Sequence, residues 1–453
     1  AIATSLYLPL FNNDRERIND LISIFAFLYR RIGMIVLTGG IVLAAFLPLI
    51  FRNEPVPMSD VYMGYSAFLV TSLVSYFISY KQTLFSADQR HYIVVTGTNV
   101  AMICKVLLQI VLLKWIARSY PAWLAIEVVF GVAYGFWINR RVDKAYPWLK
   151  TSYALGKAKS REYRELFVKI KQIIPHKVGG FVLYQTDNLV VFGVTSLAAV
   201  TAFANYMLIF NRLTTFVATA FTALGAGVGN LIAEGNRTLI KKLFWELNAF
   251  FFTVAGILTI AFFFLTDDFI SLFFGERFVL DNLSFHLMLF NTFVAIIRIP
   301  VGYFLNGYQL FRDTWAPWVE ASSNLLISIG AGYFMGIAGV MLGTALSLMG
   351  IVVLWKPIFL YRAGFMEKVS EYWRHVLRYL LLLAIAWAVV ALIVRTLLTP
   401  PGNMLQWTIN GTVVTICATV IYSLMMYFFG KGTRDAVTRV RNEIRKRHGH
   451  NPL

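Results

Sequence analysis

Apolar runs separated by short polar joints fill almost the whole of this 453-residue chain. A helix needs about 20 mostly apolar residues to cross the ~30 Å hydrocarbon core of a bilayer. By that measure the pattern predicts twelve transmembrane helices, at 21–50, 61–82, 91–117, 119–140, 168–194, 199–231, 241–265, 283–308, 314–335, 337–362, 373–397 and 405–430. The runs are too long and too continuous for barrel strands, which alternate apolar and polar residues. We therefore predict an all-α polytopic membrane protein.

Basic residues are divided very unevenly between the joints of these predicted helices. Of the 41 Lys and Arg residues, 31 lie in the N-terminal segment and in every second joint after it, and 5 lie in the alternate joints. Because cytoplasmic joints are enriched in Lys and Arg, both termini are expected in the cytoplasm. The net charge of +18 then reflects these basic cytoplasmic joints, which would lie near anionic lipid headgroups. It implies no nucleic-acid partner.

Two stretches of the chain share an order of features that indicates an internal repeat. A polar turn, a long apolar span with a central glycine and an acidic joint occur around Gly33 and again around Gly256. Polar joints that contain Gln82 and Gln309 continue the series at nearly the same offset. Half-repeats of this kind are typical of transporters. The repeat predicts two pseudo-symmetric helical bundles. It also predicts an intact protein of 14 spans, with the first two absent from this chain.

The same features divide the chain into five predicted regions. They are an incomplete N-terminal lobe of four spans at 1–140, a cytoplasmic interlobe linker helix at 141–171, a C-terminal lobe of six spans at 172–362, two additional spans at 363–430 and a basic cytoplasmic tail at 431–453. The linker carries apolar residues at helical spacing among its basic residues, which predicts a helix lying on the inner leaflet.

Several strings of residues resemble one family of bacterial membrane proteins. Gln185-Thr186-Asp187-Asn188-Leu189-Val190-Val191, followed by Ala204-Asn205-Tyr206-Met207, resembles the seventh and eighth helices of Wzx-type polysaccharide flippases. Tyr29-Arg30-Arg31-Ile32-Gly33 resembles a region of the same proteins just after their second helix. This family shares the MOP/MATE-like superfamily with multidrug exporters and with exporters of lipid-linked murein precursors.

The resemblance implies a two-lobed, V-shaped, monomeric transporter of the bacterial cytoplasmic membrane. Its substrate would be an undecaprenyl-diphosphate-linked oligosaccharide, such as an O-antigen, capsule or exopolysaccharide repeat unit. The transporter would carry it from the inner to the outer leaflet by ion-coupled alternating access. Glycosyltransferases and a polysaccharide polymerase would be partners in the same process, and no cofactor is implied.

Five of the 41 basic residues are counted in neither set of joints and lie well inside the predicted spans. They are Arg30, Arg31, Lys105, Arg212 and Arg298. A charge at the bilayer centre costs about 2.5–3.5 kcal/mol on insertion scales, so such residues normally face a protein interior or a watery cavity. Three acids, Glu127, Asp187 and Glu320, lie well inside spans. The excess of bases predicts a positive cavity, which suits a diphosphate because guanidinium groups bind its oxygens in pairs.

Other interpretations of these residues stay open. Arg30 and Arg31 can reach the cytoplasmic surface from a tilted helix, Lys105 can pair with Glu127, and Arg212 can contact lipid. Arg298 precedes Pro300, and a proline-broken helix often lines a transport site, so Arg298 is the strongest candidate for the cavity. Asp187 and Asn188 are candidates for coupling transport to a proton or sodium ion, or for holding neighbouring side chains in place.

Three other functions are weighed against the flippase. A MATE-like multidrug antiporter would share the fold, but a positive cavity repels its cationic substrates. A membrane glycosyltransferase or polymerase usually carries catalytic groups in a large outer loop, and the longest outer joint, 265–283, is too short for a domain. A structural membrane subunit would transport nothing. The chain also shows no nucleotide-binding or metal motif, so no catalytic residue, metal or ATP-driven step is predicted.

Overall fold

Helices form all of the regular structure in the described part of this computed structural model. It describes residues 3–6, 9–10, 12–52, 55–88, 90–115, 119–163, 167, 186–308, 310, 312–439 and 441. The chain divides into two compact units, which we name unit 1 (Ala1–Pro175) and unit 2 (His176–Leu453).

Unit 1 contains six α-helices among its described residues. They are α1 (Arg15–Ile50), α2 (Met58–Phe77), α3 (Thr83–Ala87), α4 (His91–Trp115), α5 (Ser119–Ala145) and α6 (Tyr153–Lys159). The Asp14 carboxylate caps α1 by accepting a hydrogen bond from the Arg17 amide at 3.0 Å. Such a cap satisfies one of the free amides of the first turn, and it fixes where this long helix begins.

Unit 2 contains eleven α-helices among its described residues. They are α7 (Asp187–Val194), α8 (Leu197–Ala220), α9 (Thr222–Glu234), α10 (Arg237–Phe274), α11 (Asn282–Ile297), α12 (Ile299–Gly307), α13 (Ala316–Met335), α14 (Ile337–Ser347), α15 (Lys356–Leu360), α16 (Ser370–Leu397) and α17 (Met404–Phe429). Two π-helical segments, Leu348–Trp355 and Tyr361–Phe365, flank α15 and make α14 to α15 one continuous helical rod.

Three helix pairings in unit 1 recur in unit 2 in the same chain order. In unit 1, α1 packs on α2, α2 on α5, and α4 on α5. In unit 2, α10 packs on α11, α11 on α14, and α13 on α14. Unit 2 adds α7, which packs on α8, α13 and α14, and α17, which packs on α10. The pseudo-symmetry of two bundles stays a prediction, and these pairings support it.

Eight of the described helices are long and apolar enough to cross a membrane, or nine if the bent pair Met58–Phe77 and Ser79–Ala87 counts as one span. The helices α8, α9 and α13 do not pass the same test. Polar residues such as Arg212 on α8 and Asn324 on α13 lower the hydropathy of those two helices, and α9, with 13 residues, is too short to cross a membrane. The predicted span 168–194 lies mostly outside the described residues. The totals of twelve and fourteen spans therefore stay predictions.

The segment predicted as one linker helix over 141–171 is divided in the structure. Helix α5 continues through Ala145, and a separate short helix, α6, packs on α1. The Ser152 amide donates to the Ser23 hydroxyl at 3.2 Å. A side chain in place of Gly156 would overlap the Ser23 carbonyl, so glycine permits this close approach. Contact with the inner leaflet stays a prediction.

Candidate functional site

A break between α11 and α12 places Arg298 at the centre of the candidate site. Helix α11 ends at Ile297, and α12 carries Pro300 in its first turn. Proline has no amide hydrogen and crowds the preceding turn, so the helix is interrupted where the sequence places it. The Arg298 amide still donates to the Val294 carbonyl at 3.2 Å, which keeps the two halves joined. The half-buried Arg298 lies at the junction.

Arg298 lines a cavity of about 510 Å³ within unit 2. The charged residues of its lining are Arg298, Asp313, Glu320 and Lys356, and its polar residues include Thr222, Tyr303 and Asn306. Lys356 Nζ lies 2.6 Å from Asp313 Oδ2, and Trp355 Nε1 donates to the same oxygen at 3.2 Å. The cavity therefore holds a built ion pair in addition to the predicted arginine.

The charges of the described residues that line this cavity balance, with two bases and two acids. The excess of bases was predicted for a cavity lined by both halves of the chain, and it stays a prediction. Asp313 and Glu320 are 6% and 8% exposed. Arg298 acts electrostatically on the Glu320 carboxyl, whose Oε1 has no hydrogen-bond partner among the described residues. By the predicted bounds, Asp313 falls in the joint between the spans 283–308 and 314–335. Lys356 falls inside the predicted span 337–362, and a charge at that position is the sequence signal that could have identified it.

A second polar cluster surrounds Asp187, where α7, α13 and α14 meet. The Asp187 side chain is 7% exposed, and the Thr344 hydroxyl of α14 lies within hydrogen-bonding reach of it. Asn324 of α13 donates to that same hydroxyl at 2.9 Å. Ser328, one turn further along α13, donates to the Val340 carbonyl at 3.0 Å. Three helices thus contribute oxygen atoms to one buried place.

Two oxygens of the Asp187 cluster lack donors. Asp187 Oδ1 and Asn324 Oδ1 have no hydrogen-bond partner among the described residues. A buried acceptor without a donor costs about 1–3 kcal/mol. A bound proton or a small cation would satisfy such an acceptor. The described residues contain no group of three or more His, Cys, Asp or Glu side chains fit to hold a metal ion. The cluster instead combines one carboxylate with neutral oxygens.

One face of α13 connects the cavity to the Asp187 cluster. Glu320, Asn324 and Ser328 are spaced four residues apart, so they lie above one another on a helix. Helix α14 approaches this face closely, because a side chain at Gly343 would overlap the backbone of Ser328. Gly339 lies in the same way against the backbone of Ala331. Glycines therefore let the two helices share hydrogen bonds.

The other predicted cations lie in different surroundings. Lys105 forms an ion pair with Glu127 at 2.7 Å in unit 1, which matches the structural alternative for this residue. The guanidinium groups of Arg30 and Arg31 each lie 4.9 Å from a ring centroid, that of Tyr153 or Phe27. In unit 2, Arg212 is exposed on α8 and has no ion-pair partner among the described residues.

Asn188 was predicted to act together with Asp187, but the amide that lies in the Asp187 cluster is that of Asn324. Asn188 is exposed on α7, whereas Asp187 is buried. Successive residues of a helix point about 100° apart, so sequence neighbours rarely share a site. The amide in the cluster belongs to Asn324. Within unit 2, Arg212 likewise does not line the Arg298 cavity.

Comparison with solved structures finds a likeness that extends over most of the chain. No protein-family model and no curated protein matches it. A solved structure described as "Lipid II flippase MurJ, inward closed conformation" is similar with a TM-score of 0.66 and 15% sequence identity. The match covers 94% of this chain and 88% of that one. The chain is therefore a multi-pass membrane protein with a MurJ-like fold, and helices form all of the regular structure among its described residues.

Proposed function

We propose that this chain flips a lipid-linked oligosaccharide diphosphate from the inner to the outer leaflet of the bacterial cytoplasmic membrane. The observation that carries the proposal is the Arg298 cavity, which is lined by two half-buried cations, Arg298 at a helix break and Lys356 beside Asp313. The MurJ-like fold supports it, because that relative is described as a lipid II flippase. In this proposal the lipid carrier is undecaprenyl diphosphate, and glycosyltransferases and a polymerase are partners in the same process.

The balanced charge of the cavity fits a substrate that exchanges with internal carboxylates. A buried cation without a counter-charge is costly, so Asp313 beside Lys356 and Glu320 beside Arg298 keep both cations in place before substrate arrives. A diphosphate offers more anionic oxygens than either carboxylate. Guanidinium binds such oxygens in pairs, which a lysine cannot do. Substrate binding therefore replaces one set of ionic contacts with a stronger one.

The Asp187 cluster is proposed to couple transport to a proton or sodium ion. An ion bound there contacts α7, α13 and α14 together, because Asp187, Asn324 and Thr344 come from these three helices. Glu320 lies on the same face of α13, so a shift of α13 changes both the ion site and the cavity. A ligand shifts a conformational equilibrium only by its difference in affinity between two states. Alternating access would follow from that difference.

Transport by the purified chain tests this proposal. Vesicles that contain the protein receive a fluorescent polyprenyl-diphosphate disaccharide, and the fraction reaching the outer leaflet is followed with time. Arg298→Ala should lower the rate of glycolipid movement at least about tenfold. Arg298→Lys should restore part of that rate, because lysine keeps the positive charge but lacks the paired N–H donors of a guanidinium group. Arg277→Ala changes an arginine stacked on Phe278 and serves as the control. Wild-type rates in Arg298→Ala would remove Arg298 from the site.

A MATE-like cation antiporter is the second candidate, and one observation favours it. The cavity contains two buried carboxylates, and Glu320 Oε1 has no hydrogen-bond partner among the described residues. A cationic substrate would use that oxygen. If the chain is an antiporter, Glu320→Gln should abolish efflux of a cationic dye. Glycolipid movement that fails in the wild type, together with dye efflux that depends on Glu320, would replace the flippase with the antiporter.

A further inference from the structure

The Arg298 cavity is lined by two groups that have no part in binding a diphosphate. They are the carboxylate of Glu320 on α13 and the ring of Tyr303 on α12. The described residues that line the cavity all belong to unit 2. A hydrogen-bond acceptor beside an aromatic ring fits a sugar, because a sugar carries hydroxyl donors at its edge and C–H groups on its faces.

Glu320 differs from the other acid of the cavity in its hydrogen bonds. Asp313 Oδ2 already lies 2.6 Å from Lys356 Nζ and accepts a hydrogen bond from Trp355 Nε1 at 3.2 Å. The Glu320 side chain is just as buried, at 8% exposure, but its Oε1 has no hydrogen-bond partner among the described residues. A buried acceptor without a donor is destabilising. A ligand hydroxyl that donates to Glu320 would remove this cost.

The Tyr303 ring is fixed by contacts with three other parts of unit 2. Its hydroxyl donates to the Phe221 carbonyl, between α8 and α9, at 3.0 Å. The ring packs on Gly225, where a Cβ would come within 3.0 Å of a ring carbon, and it lies edge-on to Phe251 with the ring centroids 6.3 Å apart. Since the hydroxyl is engaged, the ring is what Tyr303 offers to a ligand. A ring already held in place loses little conformational freedom on binding.

The cavity has room for a sugar beside the diphosphate. Its volume of about 510 Å³ lies within the range of about 300–1,000 Å³ that is usual for small-ligand sites. Gly302 is part of the lining, and outside its own helix no described atom lies within 4 Å of the place where its Cβ would stand. Tyr303 follows Arg298 by five residues, a rise of about 7.5 Å along a helix. A sugar next to Tyr303 would therefore be the one joined directly to the diphosphate.

We propose that Tyr303 and Glu320 form a subsite for the first sugar of the glycolipid and select a neutral sugar over a uronic acid. This inference rests on the flippase function proposed above. The sugar ring stacks on Tyr303, and one of its hydroxyl groups donates to Glu320 Oε1 while Arg298 binds the diphosphate. A uronic acid brings a further carboxylate to a cavity that already contains Asp313 and Glu320, and like charges at such close range weaken binding.

Equilibrium binding to the full-length chain tests the subsite. The purified protein, in a detergent without a sugar headgroup, is titrated by calorimetry with three short lipid diphosphates. They are farnesyl diphosphate itself, its glucosyl derivative and its glucuronyl derivative, and the last two differ only at the sixth carbon of the sugar. The wild type should bind the glucosyl ligand at least about tenfold more tightly than the glucuronyl ligand.

A matched pair of variants tests the charge of Glu320. Glu320→Gln keeps the shape of the side chain and removes its negative charge, so the ratio of the two affinities should fall close to one. Glu234→Gln makes the same change at an exposed residue that ends α9 and does not line the cavity. That control should keep the wild-type ratio.

Two further positions test where the sugar lies. Tyr303→Leu should weaken the glucosyl ligand about fivefold relative to farnesyl diphosphate, whereas Tyr303→Phe keeps the ring and should keep most of the affinity. Gly302→Leu places a side chain in the open space of the cavity. It should weaken both glycosylated ligands more than it weakens farnesyl diphosphate.

The results separate a failure of the subsite from a failure of the proposed function. If the wild type binds none of the three ligands, the flippase function and the subsite both fall. If it binds the glucosyl and glucuronyl ligands equally, the flippase function stands and the subsite does not. A wild-type ratio in Glu320→Gln would also overturn the subsite. So would losses in Tyr303→Leu and Gly302→Leu that are the same for all three ligands, because they would place the sugar elsewhere.

Discussion

Each unit has a carboxylate beside a helix pairing that occurs in both, half-buried in unit 1 and buried in unit 2, and the two carboxylates have different hydrogen-bond partners. In unit 1, between α4 and α5, Glu127 receives Lys105 at 2.7 Å on one oxygen and Gln109 at 3.4 Å on the other. In unit 2, beside the pair α13 and α14, Asp187 Oδ1 and Asn324 Oδ1 have no hydrogen-bond partner among the described residues. In unit 1 both carboxylate oxygens have a partner, whereas in unit 2 two oxygens of the cluster have none among the described residues.

The difference separates a structural charge from one able to bind a ligand. A carboxylate with both oxygens satisfied gains little from a further cation, and removing its partner leaves a poorly compensated charge. A carboxylate with a free oxygen gains from any proton or cation that arrives. Intramembrane acids look alike in a sequence, so this distinction comes from their partners. The following experiments test it, from the largest expected effect to the smallest.

Asp187→Asn should abolish ion-driven transport, because the variant keeps the shape of the side chain and loses the charge that binds the ion. The measurement is glycolipid movement in vesicles with an imposed proton or sodium gradient. Glu127→Gln is the matched control in unit 1. The movement of glycolipid by the folded fraction of this variant should depend on the ion gradient as it does in the wild type. Gradient-driven movement that persists in Asp187→Asn would place the coupling site elsewhere.

Lys105→Met should lower the free energy of unfolding by about 3 kcal/mol, because it leaves Glu127 without its counter-charge in a half-buried place. The double variant Lys105→Met with Glu127→Met should recover most of that loss, since two apolar side chains replace the pair. Unfolding in mixed detergent micelles measures both changes. A single variant as stable as the wild type would show that the pair does not hold unit 1 together.

Arg439→Ala tests a closed pair within unit 2. Arg439 Nε lies 2.9 Å from Glu246 Oε2, and the Glu246 side chain is 4% exposed. Because Arg439 itself is 40% exposed, solvent screening reduces the expected loss of stability to about 1–2 kcal/mol. The exposed pair Lys242 and Asp435 is the control, and Asp435→Asn should cost less than about 0.5 kcal/mol. Equal losses in the two variants would mean that burial does not decide the effect.

Asn188→Ala should change stability by less than about 0.5 kcal/mol and leave the ion dependence of transport unaltered, because Asn188 is exposed. Asn324→Ala, by contrast, removes an oxygen from the Asp187 cluster and should raise the ion concentration needed for half-maximal transport. Titration of transport with sodium or protons compares the two. A larger shift in Asn188→Ala than in Asn324→Ala would reverse the assignment.

Much of the helical framework was predictable from apolar runs. The predicted helices at 91–117 and 405–430 correspond to His91–Trp115 and Met404–Phe429. Pro300 predicted a broken helix, and the structure places the break at Arg298. Helices α1 and α10 begin earlier than predicted, at Arg15 and Arg237, because their first turns are amphipathic rather than apolar. Apolar content therefore locates a span better than it locates the end of its helix.

The partners within the site were less predictable, because they come from distant parts of the chain. Asp187 was identified from the sequence, but Asn324 and Thr344 join it through the packing of three helices. Asn188 was chosen for its place beside Asp187, and helical geometry turns it away. Asp313 was assigned to a joint, although its contact with Lys356 brings it into the cavity. Long-range packing of this kind leaves no periodic signal.

The π-helical segment Leu348–Trp355 has a consequence for the charge of the cavity. A π turn contains more residues than an α turn, so a π-helical segment changes the direction in which the side chains after it point around the helix axis. Lys356 comes directly after the segment and faces Asp313. Removing one residue here would turn the rest of the rod by about 100° and carry the lysine away from its acid. The length of this helix, as much as its residue identities, determines which charges meet.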